Sequence, residues 1–309
     1  MGHIDMTDQK SNQSQPASVT LEGAYEIPSI EHPLREAARM FARNKAALGG
    51  LILLVGILIL TLVVPFFYTV DPFDLVWAPL SPPGTENVPF GTDYLGRDIL
   101  AGIIHGGSAT LAVGASAALL AVVIGLSVGS LAGYYGGWVD EVLMRITEFF
   151  QVLPTLLFAM VIVALFQPSV ATVAFAIGVV SWTAVARLAR SEFLRIRALD
   201  YVKAARSISS SNSRVIWYVI LPNAMPPLVV QATLAVGGAI LFEAGLSFLG
   251  LADPNVMSWG FMIGSSRDYL MDAWWTVTIP GGFIFLTALA VSLIGDGLND
   301  ATNPKLRER

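Results

Sequence analysis

Long apolar runs separated by short polar stretches dominate the pattern of this chain. Six stand out, at about 47–67, 107–133, 143–166, 169–187, 226–250 and 274–295. A bilayer core offers no water to satisfy free peptide groups, so apolar runs of roughly 20 residues are expected to be membrane-crossing helices. Gln167 and Pro168 break the third run from the fourth and leave only a tight turn between them. The pattern predicts an all-α integral membrane protein with six transmembrane helices. It divides the chain into a polar tail (1–32), an amphipathic segment with the first crossing (33–68), and an outer loop (69–104). A five-helix core (105–299) follows, carrying a polar loop at 188–225, and a short tail (300–309) ends the chain.

Composition agrees: 54% of residues are hydrophobic, 13% charged, and mean hydropathy is +0.65, against about 25% charged residues in soluble domains. The net charge of −5 adds little, because topology follows the placement of Lys and Arg. Arg35, Arg39, Arg43 and Lys45 precede the first run, and Arg187, Arg190, Arg195, Arg197, Lys203, Arg206 and Arg214 fill the region after the fourth. Lys305, Arg307 and Arg309 close the chain, whereas the loops at 68–104 and 251–273 hold only Arg97 and Arg267. Both termini and the 188–225 loop are therefore expected on the cytoplasmic side. The polar first thirty residues do not form a secretory signal, so the first run is read as a retained anchor. The absence of cysteine excludes structural disulfides and thiolate metal sites.

Within this frame, Arg35, Arg39 and Arg43 recur every four residues and predict a helix with a basic stripe, read as an anchor against anionic lipid headgroups. The Pro- and Gly-rich outer loop is long enough for a docking or lid surface. Trp274 and Trp275 are read as an aromatic belt at the headgroups, with Trp259 open to the same reading. Gly125, Gly129 and Gly133 repeat every four residues in the second run, the spacing that lets two helices approach closely, either as static packing or as a sliding surface.

Candidate chemistry is sparse. A P-loop needs Lys after Gly in a Gly-rich turn, but Lys10, Lys45, Lys203 and Lys305 follow Gln, Asn, Val and Pro, so no ATP site is expected on this chain. Ser116 in a Gly–Ala–Ser–Ala stretch lacks a base within reach, since His105 is placed a turn or more outside that helix. Asp296 lacks the second embedded Asp an aspartyl site needs. No catalytic residue and no metal site is assigned, and nothing points to nucleic acid. Arg145 and Glu148, three apart, are read as an intrahelical pair. Glu243 has no basic neighbour in sequence. It is either a pathway or gate residue or the partner of Arg97, Arg267 or a neighbouring subunit.

The polar loop carries the most informative resemblance. Lys203-Ala204-Ala205, Ser209 and Val219-Ile220-Leu221-Pro222 resemble the EAA loop of permease subunits of bacterial ABC importers, with Lys in place of Glu and Ser in place of Gly. Further blocks resemble the C-type permease of dipeptide, oligopeptide and nickel importers. They are Phe90 to Asp98, Gly133 to Asp140, Met144 to Glu148, Leu246 to Leu251, Ser258 to Gly260, Ala273 to Trp275 and Gly295 to Leu298. Asn299 stands where that family tends to carry Arg.

The resemblance implies the type I ABC importer permease fold in a bacterial inner membrane. It also implies a related B-type permease, two cytoplasmic ATPases that carry the ATP and magnesium, and an external solute-binding protein as partners. Asp200, Lys203, Ala204, Ala205, Ser209, Leu221 and Pro222 would then be the ATPase-coupling residues, with an acidic residue expected on the ATPase opposite Lys203. Ala204 and Ala205 are small enough for close docking, and Pro222 is expected to stop the preceding helix and set the entry to the fifth crossing. An ion-coupled secondary transporter is the alternative, requiring embedded carboxylates at mid-crossing, for which only Glu243 qualifies. A scaffold protein would need neither the loop nor its partners.

Overall fold

The computed structural model describes residues 33–302 apart from Ser209. The tail at 1–32, Lys305, Arg307, Arg309 and Ser209 lie outside the described residues. Among the described residues, regular structure is helical throughout, and extended pairing is confined to isolated bridges in the outer loop such as Leu75–Arg97 and Thr92–Asp98.

The basic segment forms α1 (Pro33–Arg43). Asn44 then stops it and caps α2 (Lys45–Leu62), accepting the amides of Ala46 and Ala47 at 3.0 and 3.1 Å. Helix α3 (Ile99–Tyr135) has 37 residues, about 55 Å at 1.5 Å per residue, far longer than the roughly 30 Å hydrocarbon layer. It starts eight residues before the apolar run, because Asp98 caps it through the amide of Leu100 at 2.9 Å. The outer loop is shorter than expected for the same reason. Helix α3 ends at Gly136 and Gly137, both with positive φ (65° and 53°), which turn the chain directly into the next helix.

The third run is not one straight helix. It divides into α4 (Gly137–Val152) and α5 (Thr155–Phe166), bent by 86°. Leu153 precedes Pro154 and is driven to an extended conformation (φ −67°, ψ 135°), as the proline ring demands of its neighbour. The pair is a broken span or a re-entrant segment, beside five helices among the described residues that are each long and apolar enough to span a membrane. Those five are α2 with its terminal turn, α3, α6 (Val170–Arg197), the rod described below, and α11 (Trp275–Thr302). Between α5 and α6 the turn is as tight as the sequence implies, with Gln167 at φ 67° and Ser169 capping α6.

The deepest packing joins α3 to α6. A Cβ on Gly125 would sit 2.6 Å from Val185 Cβ, one on Gly129 2.7 Å from Ala189 Cβ, and one on Gly133 2.6 Å from Phe193 Cβ. The three glycines thus let the two backbones meet. On the other flank, Gly50 of α2 seats Leu293 of α11, and Asn44 donates to Asp300 at 3.0 Å.

The fifth crossing is part of a longer rod. Short α7 (Asp200–Ser207) is followed by α8 (Asn212–Arg214), a π-helical segment (Val215–Ile220) and α9 (Leu221–Phe248). From Asn212 to Phe248 these form one 37-residue candidate span. Pro222 therefore does not stop the preceding helix. It lacks an N–H and crowds the carbonyl one turn back, and the chain widens into a π turn instead of ending. The Asn223 side chain donates from Nδ2 to the Val219 carbonyl at 2.7 Å across that junction.

At the end of the bundle away from α7, the outer loop and α10 (Trp259–Ser266) form an ordered cap. Trp259 is fully buried and donates from Nε1 to the Ile103 carbonyl at 3.0 Å, while its amide donates to Thr110 at 3.0 Å. Trp275 is also buried and donates to the Thr92 carbonyl at 3.2 Å. Both are struts of the cap rather than belt residues, because each indole N–H satisfies a buried carbonyl. Trp274 is 57% exposed and alone keeps the position a belt needs. His105 lies inside α3 and bonds the Tyr68 carbonyl at 2.9 Å, about 16 Å along the axis from Ser116.

Candidate functional site

Helix α7 stands at the end of α6, with Val202 its one fully buried residue. Asp200, Tyr201, Lys203, Ala204, Arg206 and Ser207 are exposed, and Ala205 is half-buried. A bracket holds the helix from behind. Tyr134, at the last turn of α3 and 1% exposed, donates its hydroxyl to Asn212 Oδ1 at 2.7 Å. The Arg206 guanidinium sits 5.2 Å from the same ring's centroid, and Val202, Val215 and Ile220 pack in a cluster with Tyr134 and Phe193. Arg197 reaches the Gly133 carbonyl at 3.5 Å. One aromatic side chain therefore ties the end of α3 to both α7 and α8.

Lys203 and Asp200 meet each other at 2.9 Å in an exposed i,i+3 pair. Solvent screening makes such a pair weak, so either group is free to turn toward an outside partner. Leu221 is half-buried against the cluster behind α7, and Pro222 is exposed at the head of α9. Around them lie apolar side chains that the polar character of this loop does not explain. Ile208 is 80% exposed, Trp217 60% and Tyr218 80%.

Deeper in, Arg190 of α6 grips Asp140 of α4 bidentately, Nε to Oδ1 at 2.5 Å and Nη2 to Oδ2 at 2.7 Å. Arg145 and Glu148 form the expected intrahelical pair at 3.0 Å, exposed to solvent. The Tyr134 bracket and the Arg190–Asp140 clamp escape sequence reasoning, although both Tyr134 and Asp140 belong to the Gly133–Asp140 block.

Glu243 occupies the far end of the rod, about 45 Å along the axis from Asn212. It is 3% exposed, and its Oε1 accepts the hydroxyls of Ser247 at 2.9 Å and Ser258 at 3.1 Å. Oε2 has no partner among the described residues. The pairing with Arg97 or Arg267 does not occur: Arg97 lies over Phe73, and Arg267 approaches Asp268 and the Phe248 carbonyl. Ser258 also caps α10 through the amide of Phe261 at 3.0 Å. A Cβ on Gly260 would meet Glu243 Oε2 at 2.7 Å, and one on Gly264 would meet the Ser247 carbonyl carbon at 2.8 Å. The carboxyl is thus a pin between the last turns of α9 and the cap helix.

The described residues thus form a helical bundle with five candidate crossings and one bent pair, an exposed short helix at one end and an ordered cap at the other. Comparison with known proteins gives the family. Residues 125–308 match the model described as the binding-protein-dependent transport system inner membrane component, and residues 32–83 match the N-terminal transmembrane domain of oligopeptide transport permease C. The di/tripeptide transport system permease protein DppC of Pseudomonas aeruginosa is 40% identical over 91% of this chain and 95% of its own. The dipeptide transport system permease protein DppC of Alkalihalophilus pseudofirmus is 37% identical over 95% and 96%. A chain of the inward-facing MetNI methionine ABC transporter shares the fold, with TM-score 0.55 and 19% identity over 64% of this chain and 95% of that one.

The chain belongs to the family of binding-protein-dependent transport system inner membrane components. It is a multi-pass inner-membrane permease subunit of an ABC importer, non-catalytic in itself, and works with separate ATPase and substrate-binding components. The ion-coupled alternative finds no support in these relatives.

Proposed function

We propose that this subunit forms half of the translocation path for peptides, paired with a related B-type permease, two cytoplasmic ATP-binding subunits and an extracytoplasmic solute-binding protein. The names of its relatives support the peptide class, and the basic residues around α1 and α7 support cytoplasmic termini. ATP and magnesium act on the partner subunits, and no cofactor is assigned to this chain.

The observation that carries the reading is α7, a helix that exposes Asp200, Lys203 and Ala204 while Val202 packs and Arg206 stacks against Tyr134 behind it. Asp200, Lys203, Ala204 and Ala205 dock into an ATPase groove, with an acidic residue of the ATPase facing Lys203. Leu221 and Pro222 form the head of the rod that receives the push. Movement of α7 reaches α8 through Tyr134 and Asn212, then travels along the rod to Glu243, whose pin carries α10 with it. Glu243 is in this account a gate residue through its hold on the cap. Gly125, Gly129 and Gly133 keep α3 and α6 together as one body while the rod moves.

The test is purification of the tagged chain from its own membrane in mild detergent, with identification of co-purifying subunits and an ATPase assay. A second permease, P-loop subunits and a peptide-loaded binding protein are the expected result. Recovery of the chain without ATPase subunits overturns the reading.

A further inference from the structure

The basic face of α1 plays no part in the route from α7 to the cap. Around this helix the side chains divide between two surroundings. Phe41 is half-buried and Ala47, at the head of α2, is fully buried. Both press on the end of α11, where a Cβ on Gly297 would collide with Ala47 and stand 3.0 Å from the Phe41 ring. Asn44 fastens the elbow between α1 and α2 by donating to Asp300 at 3.0 Å. The other side presents Ala38, Arg39, Ala42, Arg43 and, past the elbow, Lys45, all exposed. Arg39, Arg43 and Lys45 make no ion pair or hydrogen bond among the described residues. Glu36 is the one carboxylate in the α1 sequence, against three arginines.

The place of this face along the membrane decides what can meet it. The first candidate crossing begins at Lys45, so the elbow stands where hydrocarbon gives way to headgroups, at the end of the bundle away from the cap. Helix α1 has 11 residues, about 16 Å, and is too short to cross the layer itself. A short helix at that level with cations on its free side meets lipid phosphates. Ala38 and Ala42 leave the guanidinium groups beside them uncovered, and Arg grips phosphate oxygens with paired hydrogen bonds. A zwitterionic headgroup brings its own ammonium to the same surface, whereas an anionic one brings none, so three unmatched cations favour anionic lipid.

We infer that the exposed face of α1 is a binding site for an anionic phospholipid. Arg39 and Arg43, one turn apart, hold its phosphate, and Lys45 adds charge at the elbow. The bound lipid keeps α1 seated on the end of α11, and through Phe41 and the Asn44–Asp300 bond it keeps the start of α2 and the end of α11 together. Anionic lipid is then a structural ligand of this subunit and not only its solvent.

The experiment labels Ala42→Cys, in a chain that has no other cysteine, with a small fluorophore. The assembled complex is placed in mixed vesicles of phosphatidylcholine and phosphatidylglycerol. One lipid or the other carries a nitroxide near its headgroup, and quenching by the two is compared. With Arg39 and Arg43 in place, phosphatidylglycerol is expected to quench more strongly, with an excess that high salt removes. Arg39→Gln with Arg43→Gln should lower the anionic-over-neutral ratio about fivefold or more, while Arg39→Lys with Arg43→Lys should keep most of it. Size exclusion shows that each complex is intact. A ratio near one with both arginines present overturns the inference, as does a Gln pair that quenches like the arginines. A label shielded from both lipids by the ATPase subunits also overturns it, by giving the face to a protein contact. The transport reading stands under each of these outcomes, because the signal follows lipid contact and not uptake.

Discussion

Substituting Gly129 with Ala tests the packing on which the account of a rigid α3–α6 body depends. The new methyl would stand 2.7 Å from Ala189 Cβ and 2.9 Å from the Arg190 amide nitrogen, whereas carbon atoms pack best at about 3.5–4.0 Å. Neither neighbour can yield alone, since one is the first atom of a side chain and the other is backbone. The helices must separate by nearly an ångström, disturbing Gly125 and Gly133 on the same seam. Overpacking of this kind costs about 1–3 kcal/mol. Replacing a helical glycine returns about 0.5–1 kcal/mol of backbone entropy, leaving a net loss on the order of 1–2 kcal/mol. Gly56 of α2 provides the control, because a Cβ there meets nothing within 4 Å, so Gly56→Ala keeps the entropic gain without the clash. Thermal unfolding of the purified complex, with aggregation followed by size exclusion, should place Gly129→Ala below wild type and Gly56→Ala at or above it. A Gly129→Ala complex as stable as Gly56→Ala would refute the reasoning.

Three further outcomes follow from the two ends of the rod and the cap. Glu243→Gln keeps an acceptor for Ser247 and Ser258 and should preserve cap protection, whereas Glu243→Leu leaves two buried hydroxyls unpaired at about 1–3 kcal/mol each and should expose the 251–273 loop to protease. Tyr134→Phe removes the bond to Asn212 and should lower transport per ATP hydrolysed while the complex still assembles, measured in vesicles. Burial, then the hydrogen bond to Asp98, pushes the Tyr68 hydroxyl up to about 12. Its neutral form is therefore favoured in the folded cap. That stability is fully present below about pH 10 and is lost as pH rises toward 12. Protease protection of the outer loop should fall over that window, and Tyr68→Phe should remove the transition.

The crossings are legible in the sequence because hydrocarbon tolerates little besides helix, so apolar length alone reveals them. Their ends are not, since caps and turns decide them. Asp98 draws α3 outward past the apolar run, and Pro154 breaks the third run at a point where apolar residues continue on both sides. Pro222 misleads for a related reason: a proline ends a helix only when the preceding turn cannot widen, and here it widens to a π turn. Trp275 looks like an interfacial residue by position, yet its N–H answers a buried carbonyl of a loop nearly two hundred residues away. The loop around Lys203 can be recognised from its own letters, but its support cannot. Tyr134 and Asn212 are 78 residues apart, and no local pattern links them. The same holds for Glu243, which in sequence is either a pathway or gate residue or the partner of a distant Arg or a neighbouring subunit, while the fold surrounds it with two serines and two close-packed glycines.

The absence of cysteine makes the most direct test of the coupling site simple. Ala204→Cys on exposed α7 should cross-link to an engineered cysteine in the groove of the ATPase subunit within the assembled importer, with efficiency that changes when ATP is bound. Ile52→Cys in the middle of α2, 65% exposed and far along the chain from α7, should not. Cross-linking at Ala204 that responds to nucleotide is what the account predicts. An Ala204→Cys that never reaches the ATPase in an active, assembled complex would contradict it.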